Sequence, residues 1–409
     1  MPSQPDIEQV AENLLATRNL RLVSYKTLQS LWAGYGSICR LQTASKDGKA
    51  PGISVILKYI SPPHSSPSDP DEGHLRKILS YQVEQNFYTH LAPQMPPDIA
   101  VASCLASANT RPVASASSPE VTTAMVLSDL RETFPVAGEK RGALTETQVH
   151  SALGWLARFH GFWWKRVGEF DRSKLIRAPL EHFGEHGDAV IEEDGADARV
   201  WLNGGYTYLA TRLGEYASLK EEGEDSEWAE ALCEPLEGQE LTVAQLVARF
   251  LTPSSDLGVV NDGGVSRYET LIHGDVKSEN LFTNEQGTKV AFYDFQYVGL
   301  GLGVCDLAKL FTCSVPAALL GFDRRDGDVI PMLEGEERLL RAYMEELQRA
   351  SGLTYSWEVL TRHWETALVD WLRFQASWGF WGNTDWLEGR VRSILTDKGW
   401  KTWLLASAT

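Results

Sequence analysis

The chain has 409 residues, 43% apolar and 23% charged, which is ordinary globular usage and excludes a wholly disordered polypeptide. With 55 acidic against 38 basic residues its net charge is −17, which excludes a broad face for gripping nucleic acid or anionic membrane and suits a cationic small molecule. Cys39, Cys104, Cys233, Cys305 and Cys313 form no C-x-x-C pair, which excludes a disulfide framework or a zinc site of that kind and fits a reducing, cytoplasmic setting.

The N-terminus starts polar and acidic, without a secretory pattern, and Asp6–Thr17 reads as a short amphipathic helix. Two β-rich runs follow, TLQSLWAGYGSICRLQTA with a Gly-containing turn and ISVILKYI, which reaches Lys58. SPPHSSPSDPDEG (61–73) is a Pro/Ser/Asp loop, and apolar residues at 75, 78, 79, 83, 87 and 91 predict a helix of about five turns. Residues 99–105 and 121–127 read as strands joined by a solvated ASANTRPVASASSPE loop. Thr145 and Gln148, at capping-box spacing, open a Trp-rich helix to Lys165. The window 181–240 holds 17 acidic and 3 basic residues and reads as a solvated helical surface or an insertion. The apolar-leaning run Leu310–Phe322 is broken by Thr312, Ser314 and Pro316 and is no bilayer span; the last 80 residues are helical by pattern. A strand-rich part therefore precedes a helix-rich part, with the border near Leu127–Pro135.

The most informative stretch is LIHGDVKSENLFTNEQGTKVAFYDFQYVGLGLGVCDLAKLF, residues 271–311. It holds His273-Gly274-Asp275, Asn280 five positions after that Asp, and Asp294 nineteen after it. LFT and KVAFYDF flank the NEQG turn, so Asn280 and Asp294 stand at the two feet of a hairpin. An amide oxygen and a carboxylate there are suitable hard ligands for Mg²⁺, which takes few protein oxygens and fills its shell with phosphate and water. Asp275, across the loop, is placed to accept a proton from an attacking hydroxyl. Gly34-Tyr35-Gly36-Ser37 could drape backbone N–H groups over phosphates; an ordinary hairpin turn explains it equally well.

This pattern resembles the small-molecule branch of the protein-kinase-like fold: aminoglycoside phosphotransferases, choline/ethanolamine kinases and the ecdysteroid-kinase-like group. Protein kinases carry H-R-D-x-x-x-x-N followed by D-F-G, where this chain has His273-Gly274-Asp275 and Asp294-Phe295-Gln296. The resemblance spans about residues 20 to 390 by layout, but only 271–311 is specific. It implies an α+β, bilobal fold with a small antiparallel-sheet nucleotide-binding lobe (1–127), a hinge (128–134) and a larger helical lobe (135–409) that carries the catalytic loop, metal site and acceptor pocket. It further implies Asp275 as catalytic base, Asn280 and Asp294 as metal ligands, and Asp306 as a support of the catalytic loop, with His273 a bracing hydrogen-bonder. Lys58 is the implied phosphate-binding strand lysine, with Glu84 as its ion-pair partner; Glu72 is a rival set aside as a loop residue. Met125–Leu130 resembles the linker between lobes, where backbone near Leu127 to Asp129 would read adenine.

The implied activity is ATP- and Mg²⁺-dependent phosphorylation of a hydroxyl on a small metabolite: an amino alcohol, a steroid-like compound or another natural product. Gly274 cannot answer a phosphorylated loop, and Asp294 to Asp306 leaves no room for an activation segment, so a protein substrate is disfavoured. Phe295-Gln296 is closer to the ecdysteroid-kinase-like pattern than to the D-F-E-Y of choline kinases, although Tyr297 keeps part of the latter. Aminoglycoside enzymes more often carry an acid at the Gln296 position. Trp371, Phe374, Trp378 and Trp381 fall on one helical stripe, which is either core or, as in choline-kinase relatives, a face for a quaternary ammonium; Asp370 and Asp385 would favour a cation. The alternative to an enzyme is a catalytically silent nucleotide-binding module acting as an interaction platform.

Overall fold

The computed structural model describes residues 4–48, 51–62, 71–110, 122–186, 199–236, 238–253, 265–323 and 328–408. The chain divides into two compact units, Met1–Thr133 with Ala178–Arg199, and Phe134–Arg177 with Val200–Thr409.

The first unit runs α1 (Gln4–Ala16), β1 (Leu20–Ser30), β2 (Gly36–Ser45), β3 (Ser54–Ile60), α2 (Glu72–Asn86), β4 (Cys104–Thr110) and β5 (Thr122–Ser128). The strands form an antiparallel sheet in the order β1-β2-β3-β5-β4. Successive strand residues face opposite ways, so Cys39, Leu41, Val55, Leu57 and Tyr59 pack with Ile7, Ala11, Leu14 and Leu15 of α1. Lys58 and Ile60 turn to the other face, where Ile60 packs with Tyr81 of α2. Strand alternation thus decides that Lys58 looks at α2.

Three expectations are corrected in this unit. The strand expected at 99–105 begins at Cys104, and Ile99 and Ala102 are buried outside the ladder. β4 is an edge strand, so its partner β5 holds a polar run in place that apolar patterning does not mark. That strand takes up 106–110 of the expected loop, and 111–121 lie outside the described residues, as do 63–70 of the earlier loop. The helix expected to reach residue 91 ends at Asn86 and widens into a π-turn over Phe87–Leu91.

The chain enters the second unit with β6 (Val136–Ala137) and α3 (Glu146–Trp164), where Thr145 and Gln148 form the expected capping box. α4 (Pro179–His186) belongs to the first unit and packs on α2, so 135–409 is not one uninterrupted body. The second unit continues with α5 (Leu213–Glu221), α6 (Glu227–Cys233), α7 (Val243–Leu251), β7 (Glu269–Ile272), β8 (Leu281–Thr283), β9 (Val290–Phe292) and β10 (Gly299–Leu302). It ends with α8 (Gly303–Cys313), α9 (Ala317–Leu320), α10 (Glu334–Ser351), α11 (Trp357–Trp378), α12 (Thr384–Thr396) and α13 (Lys398–Ala408). No helix among the described residues is long and apolar enough to cross a membrane.

Within α11, His363 is buried among Tyr268, Tyr355, Phe250 and Trp403, and the Tyr355 hydroxyl meets its Nδ1. Burial pushes its pKa down from 6.5 to about 3. The folded pKa lies below the unfolded one, so between those values the unfolded chain binds the extra proton and stability falls as pH drops. Denaturant titrations at pH 7 and pH 4 should show a loss approaching 3–4 kcal/mol, on the order of 1.4 kcal/mol per pH unit below 6.5. His363→Phe should remove most of that slope; an unchanged slope would mean the ring is not held neutral.

Candidate active site

In the first unit, Lys58 and Glu84 are 5% and 2% exposed, and their side chains form an ion pair. The Lys58 ammonium also lies 5.4 Å from the Tyr81 ring centre. The rival Glu72 is not in a loop: it is the first residue of α2 and pairs with Arg76 at 3.1 Å. Burial selects Glu84, because an ammonium out of water requires a partner that is out of water too.

Gly34 lies in the β1–β2 connection and Gly36 opens β2, both with positive φ (78° and 144°). A Cβ on Gly36 would stand 1.9 Å from the Tyr59 carbonyl oxygen, so close approach of β3 alone requires glycine there; Gly34 has open space instead. Ser37 is buried in β2 between Ser30 and Tyr59. Leu127 is the penultimate residue of β5, level with Ile56 and Cys104, and the following Ser128 N–H is taken by the Ser103 carbonyl. The Asp129 carboxylate accepts from Arg40 (2.9 Å), Ser54 (3.0 Å) and the Arg131 N–H (3.1 Å), so it ties the end of β5 to β2 and β3.

In the second unit, β8 and β9 pair Leu281 with Phe292, and the Tyr293 N–H donates to the Asn280 carbonyl at 3.0 Å. Asn280 and Asp294 therefore stand at the feet of one hairpin. Asp294 adopts φ 67°, a left-handed conformation that Asp tolerates better than most residues, and accepts from the Gln296 amide at 2.6 Å. Asp275 is 7% exposed, and its Oδ2 receives the Asn280 amide (2.9 Å) and the Lys277 ammonium (3.0 Å). Its Oδ1 and the Asn280 amide oxygen carry no hydrogen bond among the described residues. For Lys277, burial opposes the charge, but Asp275 and then Glu279 outweigh it and hold the ammonium well above the ordinary lysine pKa.

Beneath the loop, both Asp306 oxygens accept main-chain N–H groups, from His273 (2.7 Å) and Gly274 (2.9 Å). Burial alone would raise the Asp306 pKa; its hydrogen bond to His160, with the charges of His160, His273 and Lys309, lowers it on balance. His273 is fully buried and pushed down by that burial; its Nε2 meets the Tyr293 carbonyl at 3.0 Å and its Nδ1 accepts from the Asp275 N–H at 3.2 Å. A carbonyl requires a donor, so Nε2 carries the proton and the ring braces the loop.

His160 of α3 bridges Asp306 (3.1 Å) and the Tyr343 hydroxyl (2.9 Å) and is absent from the sequence reading, as is Lys277. Lys277 sits inside the motif, two residues after Asp275, where position alone marks it; His160 lies 146 residues before Asp306 in a helix whose aromatic pattern reads as core. Missed too is the segment around Trp201–Arg212. Gly205 N–H bonds the Tyr297 carbonyl at 2.9 Å, and Trp201 Nε1 the Gln296 carbonyl at 2.8 Å. The acidic window is therefore not solvated surface throughout; 198–214 carry no Asp or Glu, a local signal of burial, while 187–198 and 237 lie outside the described residues.

Gly274 has φ +84°, and a Cβ there would lie 2.3 Å from the Tyr297 carbonyl oxygen and 2.8 Å from the Gly205 nitrogen. Gly274→Ala is expected to cost at least about 1–3 kcal/mol, since both backbone and neighbours must yield. Thermal melts read the loss; an unchanged midpoint would contradict this packing.

The aromatic stripe is also corrected. α11 ends at Trp378, with Gly379 at φ 132°, so Trp381 lies in the turn beyond and meets Trp371 edge-on, 5.5 Å between ring centres. Trp371 and Phe374 are buried, whereas Trp378 is 58% exposed. Asp370 is paired with Arg373 (2.9 Å), and Asp385 is the second residue of α12.

Residues 209–347, about a third of the chain, match the model of the phosphotransferase enzyme family. That stretch includes residues 271–311, on which the resemblance to the small-molecule branch of the protein-kinase-like fold rests. No curated protein matches the chain by sequence. Among solved structures it is similar to a choline kinase from Cryptosporidium parvum Iowa II (12% identity, 98% of this chain and 100% of that one, TM-score 0.44). It is similar also to a microcompartment-associated aminopropanol kinase (12%, 98% and 98%, TM-score 0.43) and to an aminoglycoside-3′-phosphotransferase of type VIII (16%, 89% and 98%, TM-score 0.40).

Proposed function

We propose that this small-molecule kinase transfers the γ-phosphoryl group of ATP, in the presence of Mg²⁺, to a hydroxyl of a small metabolite. The observation that carries the reading is Asp275 with one oxygen engaged by Lys277 and Asn280 and the other without a hydrogen bond among the described residues, beside the hairpin of Asn280 and Asp294. The donor set fits a hard divalent ion: an amide oxygen without a donor among the described residues and a carboxylate, with no cysteine or histidine cluster competing for a softer metal among them. Bound there, Mg²⁺ would neutralise charge on the phosphate oxygens.

The chain's own residues do the remainder. Lys277 and Asn280 hold Asp275 Oδ2, so that Oδ1 orients the acceptor hydroxyl and takes its proton as the O–Pγ bond forms and ADP leaves with the electron pair of the broken bond. Lys58, fixed by Glu84, binds the α/β-phosphates; the Gly34–Ser37 backbone and the Leu127–Asp129 stretch bind phosphate and adenine. Asp306 and His273 hold the loop and exchange no proton.

Asp294→Ala is expected to weaken Mg-ATP binding by at least tenfold in calorimetry, because one of two protein oxygens is gone. Undiminished Mg-ATP affinity would overturn the metal-ligand role. ATP-to-ADP turnover stimulated by a panel of hydroxylated acceptors separates an enzyme from a silent platform, which would bind ATP without converting it.

A further inference from the structure

The turn after α11 is fastened to the end of α8, and so is the catalytic loop. Asn383 donates its N–H to the Thr312 carbonyl (2.8 Å) and its amide to the Phe311 and Val315 carbonyls (2.8 and 2.7 Å). The Ser314 hydroxyl, next in the chain, accepts the Ser278 N–H at 2.8 Å. Trp381 meets Trp371 and Phe374 edge-on, 5.5 and 5.9 Å between ring centres, and its carbonyl accepts from the Gln375 amide at 3.1 Å. Tyr206 lies 4.9 Å from Tyr297 and 5.7 Å from Phe374 between ring centres, and the Lys309 ammonium, which donates to the Gly274 carbonyl beside Asp275, stands 5.4 Å from its ring centre. Lys309 thus joins the Gly274 carbonyl to the rings of Tyr206 and Trp371, so the ring cluster adjoins the loop that carries Asp275, and Trp378 and Phe380 are 58% and 42% exposed.

The charges beside these rings decide what they can hold. The Arg212 guanidinium lies 5.6, 5.3 and 5.2 Å from the centres of Tyr206, Phe374 and Trp378, and the Lys309 ammonium 5.4 Å from Tyr206 and 5.8 Å from Trp371. The chain's own cations already use the stripe that a cationic acceptor would need. Three of the nearby acids have cations too: Asp370 has Arg373, while Asp275 and Glu279 share Lys277. An incoming ammonium would meet like charge and no unshared carboxylate among these.

We propose that the acceptor is an uncharged alcohol carrying a flat apolar ring system, which lies against Trp378, Phe380 and Trp381 with its hydroxyl at Asp275. This rests on the phosphotransferase reading. The acceptor's oxygen bonds to Pγ, its proton passes to Asp275, and ADP and a phosphomonoester leave.

The test offers the full chain ATP and MgCl₂ with 2-naphthaleneethanol, choline or kanamycin in turn, and reads phosphate gain by mass and acceptor binding by calorimetry. The ring alcohol is expected to have a kcat/KM at least tenfold above the other two. Trp378→Ala, and separately Phe380→Ser, should each raise its KM at least fivefold; both residues are exposed, so folding is spared. Preference for choline or kanamycin would overturn the acceptor assignment and leave the phosphotransferase reading intact. If nothing is phosphorylated that reading fails, and calorimetry decides the other: binding of the ring alcohol that Trp378→Ala abolishes upholds it, and no binding overturns it.

Discussion

Asp275→Asn is expected to lower kcat for phosphoryl transfer by about 10²–10⁴-fold while Mg-ATP affinity stays within a few-fold. The amide keeps the size of the side chain and can still accept from Lys277 or Asn280, so the loop should hold its shape on Asp306 and His273. What it loses is an oxygen able to take the acceptor's proton. Single-turnover transfer and calorimetric ATP binding, measured on one preparation, separate the two effects. Wild-type turnover in Asp275→Asn would remove Asp275 from the chemistry.

Glu84→Ala is expected to cost about 3–5 kcal/mol of stability, because it leaves the Lys58 ammonium buried without its partner. The double substitution Lys58→Met with Glu84→Leu should recover most of that loss, since apolar side chains of similar volume replace buried pairs at little net cost. It should nevertheless fail to transfer phosphate, having no cation for the nucleotide. The pattern, unstable single variant and stable but inactive double variant, assigns the pair to binding rather than to folding. Denaturant midpoints and ATP turnover read both; a double variant that still turns over ATP would take Lys58 out of the site.

The candidate residues of the two units were unequally legible. Asn280 and Asp294 were placed by short-range physics: a four-residue turn between β-runs sets the register, and the register puts the two residues opposite each other. Lys58, which lies inside β3, was named through the resemblance, whereas the α3 start followed from its capping box, a local signal. Glu72 and Glu84 lie on the same helix, and only burial distinguishes them.

What the amino-acid order determined by itself was therefore the hairpin that carries Asn280 and Asp294, the alternation that turns Lys58 away from α1, and the helical character of the second unit, because those depend on neighbours within a few residues. The tertiary structure alone decided the edge position of β4, the His160–Asp306 contact, the docking of the Trp201–Arg212 segment, and the filling of the aromatic faces by Arg212 and Lys309. Each of those joins groups tens to hundreds of residues apart, and packing rather than local propensity selects which of many apolar or charged candidates meet.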